Sequence, residues 1–431
     1  MSFDKTSATS QGGVAVDTQE AAAAAVTAVD PRLLVREQGL KGYVGEFKRK
    51  MRTGELGSIP VVIGLIVICV VFQSLNSNFL SAQNLSDITV TMVGTGMISV
   101  GIVFVLLLGE IDLSVGSVSG AASAIAAVLA VNQGWPEWLA VLAAVAAGAA
   151  IGAAHGFFFA VLGAPAFAVT LAGLLFWLGF MLKILGENGT INLDSEGLIG
   201  KLTTYFFTDV AAAYVLAAVV VVVFFLTSFL GNRRREAAGI PSRPLSDTLM
   251  RTVLLAVVAF AAGYMYNQYK GLPLATVIFL AFLIATDFVL RRTAYGRKIF
   301  ALGGSVEASR RAGINVTAVR VSVFAISGGL AAVGGLFLAS KIASANQSAG
   351  TGDLLMNAIA AAVIGGTSLF GGRGRTWNAL LGVLVIVSIQ YGLQLESIAE
   401  PVKYMITAAV LLTTVVIDSV TRKTQKTAGR A

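Results

Sequence analysis

Few residues in this chain have side chains suited to chemistry, and the densest group lies in LLLGEIDLSVGS, Leu106 to Ser117. There Glu110 and Asp112 stand beside the uncharged run Ile88 to Gly109. Carboxylates so placed suit three tasks. One is a proton or cation relay, because an ionisable group inside a membrane is a functional candidate by default. Another is a helix break near the cytoplasmic side, in which Gly109 and Gly116 let the backbone bend while the carboxylates bind freed N–H groups or cap a new helix near Ser114. The third is an interfacial position with no special task. A relay needs a chain of partners, and the acids nearest other apolar runs, Asp87 and Asp287, fall close to opposite membrane edges, so the break is the reading adopted. The single histidine, His155 in GAAIGAAHGFFF, reads as a packed or hydrogen-bonded core residue rather than a ligand. The single cysteine, Cys69, lies in an apolar run, which excludes a disulfide framework and a Cys-based zinc site; no metal site is expected. Serines in GSVSG (116–120) and GGTS (365–368) would need a histidine oriented by a carboxylate to act as nucleophiles. His155 is expected in a different span without such a carboxylate, so no catalytic residue is assigned.

These residues sit in a chain that is 56% hydrophobic and 13% charged, whereas soluble domains are about a quarter charged. The composition belongs to an all-α integral membrane protein. Runs long enough to cross a bilayer, about 20 residues each, are expected at 59–76, 86–109, 114–132, 138–161, 166–184, 208–230, 252–268, 272–290, 318–339, 356–371, 376–395 and 402–420, a polytopic bundle of about twelve helices. The fourth and fifth are divided at Gly163-Ala-Pro165, where glycine and proline favour a turn. Residues 1–58 are expected to form a largely disordered cytoplasmic tail without a cleavable signal peptide. Pro31 to Arg52 could lie there as a basic helix on the anionic leaflet.

Positive charge orients the bundle. Arg32, Arg36, Lys41, Lys48, Arg49, Lys50 and Arg52 precede the first span. Alternate loops carry Arg233, Arg234, Arg235 and Arg243, then Arg291, Arg292, Arg297, Lys298, Arg310 and Arg311, then Arg373 and Arg375, and the tail 421–431 carries Arg422, Lys423, Lys426 and Arg430. The intervening loops carry acids, among them Glu187, Asp194, Glu196, Glu396 and Glu400. Both termini are therefore expected in the cytoplasm, and the net charge of +8 reflects topology rather than nucleic-acid binding. Gly148, Gly152 and Gly156, and the pairs Gly328-Gly329 and Gly334-Gly335, predict close helix approach in lipid.

The loop 291–317 has a local design of its own. Ser305 is placed to N-cap a short helix, Glu307 to sit at its positive end, Arg310 and Arg311 at its negative end, and Gly313 to close it in the left-handed region. A capped helix between two spans has the form of a docking device; the bland alternative is a solvated basic loop that only sets topology.

Four segments carry a resemblance. TAYGRKIFALGGSVEASRRAGINV (293–316) resembles the cytoplasmic coupling loop of the permeases of bacterial ABC sugar importers, the ribose/xylose/branched-chain permease family. LLLGEIDLSVGS, PAFAVTL (165–171) and AIAAAVIGGTSLFGGRG (358–374) are similar to that family's other signatures, in the same order. RRREAAGIPSR, YKGLP and SANQSAG resemble its xylose branch. The chain departs from the pattern at Met356-Asn357-Ala358, where Leu-Asp-Ala is expected, and at Gly304-Ser305-Val306.

The resemblance implies a type II importer-like permease in the bacterial inner membrane, paired with a second copy, powered by a cytoplasmic ATPase and fed a monosaccharide, most nearly D-xylose, by a periplasmic binding protein. The chain has no GxxxxGKS/T phosphate loop, so ATP is expected on the partner and no cofactor here. ATPase coupling is expected from Gly296, Arg297, Gly303, Gly304, Glu307, Arg310, Arg311 and Gly313. A neutral, hydroxyl-rich solute calls for amides, hydroxyls and aromatic faces, for which Thr91, Thr95, Thr170, Trp177, Asn378, Gln390 and Tyr391 are the right types within spans. An ion-coupled secondary sugar transporter is the alternative.

Overall fold

The computed structural model describes residues 59–239, 242, 244–399, 401–410, 412, 413 and 416. The expected tails 1–58 and 421–431, and Arg243 and Glu400, lie outside the described residues. In chain order the elements are α1 (Ile59–Leu75), α2 (Ala82–Leu107), α3 (Val115–Ala127, continued by a π turn at Val128–Asn132), α4 (Glu137–Ala160), α5 (Ala166–Leu185), β1 (Thr190–Asn192), α6 (Leu198–Thr204), β2 (Phe206–Phe207), α7 (Val210–Ala237) and α8 (Leu245–Asn267). There follow β3 (Leu272–Pro273), α9 (Leu274–Arg292), α10 (Ala294–Gly304), α11 (Val306–Arg311), α12 (Val316–Lys341), β4 (Ser344–Asn346), α13 (Leu354–Ile364) and α14 (Thr376–Leu395); residues 401–410 are also helical. Each expected span overlaps a helix, the last as far as its residues are described, and nine helices among the described residues are long and apolar enough to cross a membrane. The protein is a polytopic helical membrane protein.

Local signals set the boundaries. Gly163 has φ +77° and Pro165 is the N-cap of α5, so the turn expected there forms. Antiparallel β1 and β4 pair Thr190 with Asn346, and β2 and β3 pair Phe206 with Pro273.

The chain divides into two compact units. The smaller comprises, among the described residues, those within Val222–Leu254; inside it the Asn232 amide donates to Thr248 Oγ1 (3.0 Å) and Arg251 lies 3.7 Å from Asp247. The larger unit is built around α2, which is enclosed by α9, α12, α13 and α14. Lipid offers no hydrophobic drive between helices, so close backbone approach over small residues takes its place. A Cβ at Gly148 would lie 2.6 Å from the Gly328 carbonyl, and one at Gly101 would lie 3.0 Å from that of Ser327. The glycine rows picked out in the sequence are thus the α4–α12 and α2–α12 seams.

Two expectations need correction. The run 356–371 is not a full crossing helix: α13 is 11 residues long, and Gly366 (φ +103°) belongs to the loop beyond it. Hydropathy reads the whole run alike, because the glycine-rich loop is nearly uncharged. The basic loop also holds two helices rather than one. The first helix, α10, ends at Gly303 and Gly304, and its start is capped by Thr293 Oγ1 accepting from Gly296 N–H (3.2 Å).

Candidate functional site

The end of α2 is a closed local design. Gly109 adopts φ +79°, the Gly109 N–H donates to the Leu106 carbonyl (2.9 Å), and the Glu110 N–H donates to that of Val105 (3.3 Å). Together these form a Schellman stop, which a Cβ at position 109 would strain. Past it the chain turns back. Glu110 meets Arg320 at 3.9 Å, and the Arg320 guanidinium sits 4.4 Å from the Phe159 ring centre.

Asp112 is 2% exposed. Its Oδ1 accepts from the Ser114 N–H (2.9 Å) and the Ser114 hydroxyl (2.6 Å), and its Oδ2 accepts from Ser327 (3.4 Å). Ser114 occupies the N-cap position of α3 but its hydroxyl makes no capping bond; its own N–H is held by Asp112 Oδ1. Depth follows from α12. At 1.5 Å per residue, Arg320 lies about 6 Å and Ser327 about 16 Å along a helix about 39 Å long. The break therefore spans from the Arg320 level to that of Ser327, about 10 Å further along α12.

His155, read as a packed or hydrogen-bonded core residue, completes this group. Its Nε2 accepts from Trp177 Nε1–H (3.1 Å) and its Nδ1 lies 3.2 Å from Ser114 Oγ. Indole is only a donor, so Nε2 must accept, and a neutral ring then carries its proton on Nδ1. The donor order is Trp177 to His155 to Ser114 to Asp112. Serine, histidine and a carboxylate thus do meet, contrary to the sequence expectation, but in the wrong order for hydrolysis: the serine gives its hydrogen to Asp112, and the far histidine nitrogen is occupied. The network ties the break to α4 and α5. Room for the ring comes from Gly173, where a Cβ would overlap it.

The basic segment 291–317 lies against the same break. Its second helix, α11, is capped as its sequence predicts: Ser305 Oγ accepts from Ala308 N–H (3.2 Å), Gly313 has φ +78°, and the Ile314 N–H donates to the Ser309 carbonyl (3.0 Å). Glu307 and Arg311 pair at 3.2 Å on the surface, and Arg297, Arg310 and Arg311 are exposed. Gly296 is buried, with Leu290 backbone where a Cβ would stand. Tyr295 anchors the segment through a 2.7 Å bond to Ser322; burial raises its phenol above the ordinary tyrosine range, and that bond opposes the shift.

At Gly303 three separated motifs converge. The Gly372 N–H donates to the Leu107 carbonyl (2.9 Å), closing the late glycine loop onto the last turn of α2. A Cβ at Gly303 would overlap the Leu107 carbonyl and lie 2.6 Å from Gly372 N, while one at Gly371 would lie 2.7 Å from the Gly303 carbonyl and 3.0 Å from Gly109 N. Backbone meets backbone there, so a shift of α10 is felt directly at the break.

The residues expected along a sugar path do not form one lining. Thr91 bonds Tyr391 (2.7 Å) between α2 and α14, with Thr95 and Gln390 half-buried on the same two helices. Thr170 bonds its own helix at the Ala166 carbonyl (3.0 Å), and Trp177 is engaged by His155. Asn378 donates to Thr367 beside the glycine loop (3.3 Å). Sequence reasoning missed Arg320 and the use of His155, whose partners lie far away in the chain.

A family model described as branched-chain amino acid transport system / permease component matches residues 84–415. The chain is 34% identical over 365 residues to the xylose transport system permease protein XylH of Escherichia coli, covering 84% of this chain and 92% of that protein. It is 32% identical over 375 residues to XylH of Haemophilus influenzae (87% and 99%), and 30% identical over 365 residues to the ribose import permease protein RbsC of Escherichia coli (83% and 92%). No solved structure matches. The chain, with its crossing helices and its glycine junction, belongs to this family of transport-system permease components.

Proposed function

We propose that the chain is the membrane-spanning subunit of an importer that carries a monosaccharide, D-xylose, across the bacterial inner membrane. A separate cytoplasmic ATPase supplies the work, a periplasmic binding protein delivers the sugar, and a second copy of the chain completes the pathway. Residues 59–420 form the permease domain, with 291–317 as the coupling loop and both termini in the cytoplasm. The observation that carries this reading is the contact of Gly303 with Leu107 and Gly372, which links an exposed, well-capped basic loop to the break between two spans. Force applied at α10 and α11 has a backbone route to α2 and α3, with Asp112 holding the far side. The xylose permeases among the relatives support the choice of pentose.

The test is uptake of labelled D-xylose at low concentration in cells lacking the protein, with and without a restoring copy, competed by unlabelled ribose, arabinose, glucose and galactose. Loss and rescue of xylose uptake, with weak competition by the other sugars, is expected. Ribose uptake that is lost and restored while xylose uptake is unchanged would overturn the choice of sugar.

A further inference from the structure

After β4 the chain does not begin a new helix at the membrane edge. Residues 347–353 run as turns, with Gly350 (φ +74°) and Gly352 (φ +69°) in the left-handed region, before α13 starts at Leu354. Their depth can be read from neighbours. A Cβ at Gly335 would strike Ser119, which sets α3 against α12 about 9 Å short of Lys341. Gly350 packs against Gly116, about 4.5 Å deeper still along α3. This non-helical backbone therefore lies within the hydrocarbon thickness, and α13, about 16 Å long, completes the crossing.

Irregular backbone is not tolerated against lipid, because its unpaired N–H and C=O groups have no partner there; it occurs only inside protein or along water. One side of this segment is covered by α3. On the other side Ser348, Gly352 and Met356 are exposed, Met356 by 69%, and Thr351 and Asp353 are half-buried. The polar groups are organised: Thr351 Oγ1 donates to the Ser348 carbonyl (2.8 Å), and the Asn357 amide donates to Asp353 Oδ2 (2.6 Å).

We propose that Ser348, Thr351, Gly352, Asp353 and Met356 line the aqueous path through the protein and form its contact with a neutral polyhydroxyl solute. Hydroxyls and a carboxyl match the donors and acceptors of a sugar, and the methionine supplies a soft apolar face for its C–H groups. This rests on the permease reading above and replaces the scattered residues chosen by type alone.

The chain's one cysteine makes the test direct. In a Cys69→Ala background, Met356→Cys and Thr351→Cys are made in the full-length protein, with Leu175→Cys, on an apolar face of α5 that is 66% exposed, as the lipid-facing control. Purified protein in lipid vesicles is treated with a charged, membrane-impermeant methanethiosulfonate. Desolvation suppresses the thiolate by two pKa units or more in lipid, so modification at positions 351 and 356 is expected to exceed that at 175 by about a hundredfold. D-Xylose is expected to slow it. If position 356 is as unreactive as 175 towards the charged reagent yet reacts with a lipid-soluble maleimide, the segment faces lipid and the proposal fails. If it is silent to both and cross-links between copies, the surface is a dry interface and the proposal also fails. Labelling that no monosaccharide slows would keep the water path and overturn the solute contact. Failure of the wild-type protein to restore xylose uptake in cells, with position 356 of the Met356→Cys variant still labelled, would count against the pentose reading alone.

Discussion

Replacing Asp112 separates a mechanical role from a proton-carrying one. Asp112→Ala removes the acceptor of the Ser114 N–H and of the Ser114 hydroxyl, both buried. Each stranded donor costs about 1–3 kcal/mol, so the loss is about 2–6 kcal/mol; the long Ser327 bond adds little. Asp112→Asn keeps a carbonyl oxygen at the Oδ1 position and with it both short bonds. It loses only the reinforcement from charge, about 1–2 kcal/mol. The assay pairs thermal unfolding of the purified full-length protein with sugar uptake at matched membrane amounts. The break reading predicts that alanine lowers unfolding temperature and uptake together, while asparagine lowers both slightly. Uptake abolished by Asp112→Asn in a protein as stable as wild type would show that the charge itself works in transport. A fully stable Asp112→Ala protein would remove the structural role.

Three further outcomes are expected. Gly303→Ala forces a methyl group between the Leu107 carbonyl and Gly372 N, and should cost about 1–3 kcal/mol while breaking the link between ATP hydrolysis and sugar uptake; unchanged coupling would refute the junction. Replacing Glu307 and Arg311 together should leave stability within about 1 kcal/mol, because the pair is exposed, but should reduce sugar-stimulated ATPase activity in reconstituted vesicles. Tyr295→Phe should cost about 1 kcal/mol by losing the Ser322 bond. Because the folded phenol titrates above its ordinary value, wild-type Tyr295 contributes fully below that value and loses its contribution as pH rises through the folded pKa. The wild-type advantage over Tyr295→Phe should therefore shrink only at strongly alkaline pH, as followed by unfolding temperature against pH.

How much of this was legible in the sequence depended on range. The caps of α11 are decided by Ser305, Gly313 and the residues between them, and they form as read. The turn at Gly163 and Pro165 is equally local. The break after Leu107 was legible from Gly109 and its two acids, but its depth was not, because that depends on Ser327, more than 200 residues away. That His155 is a packed or hydrogen-bonded core residue was readable, but its partners were not, because neither Ser114 nor Trp177 leaves a mark beside it. SANQSAGTGD looks like an ordinary polar outer loop, since hydropathy cannot distinguish a short segment outside the membrane from one turned into it. Residue types alone picked Thr91, Thr170 and Asn378 for a path, and side-chain direction then sent them to different seams.

The energy source tests the central claim most directly. Xylose uptake by the restored cells should stop when ATP is depleted and persist when the proton gradient alone is dissipated. Uptake that survives ATP depletion and collapses with the gradient would identify an ion-coupled carrier and contradict the account of a loop built to receive force from a separate ATPase.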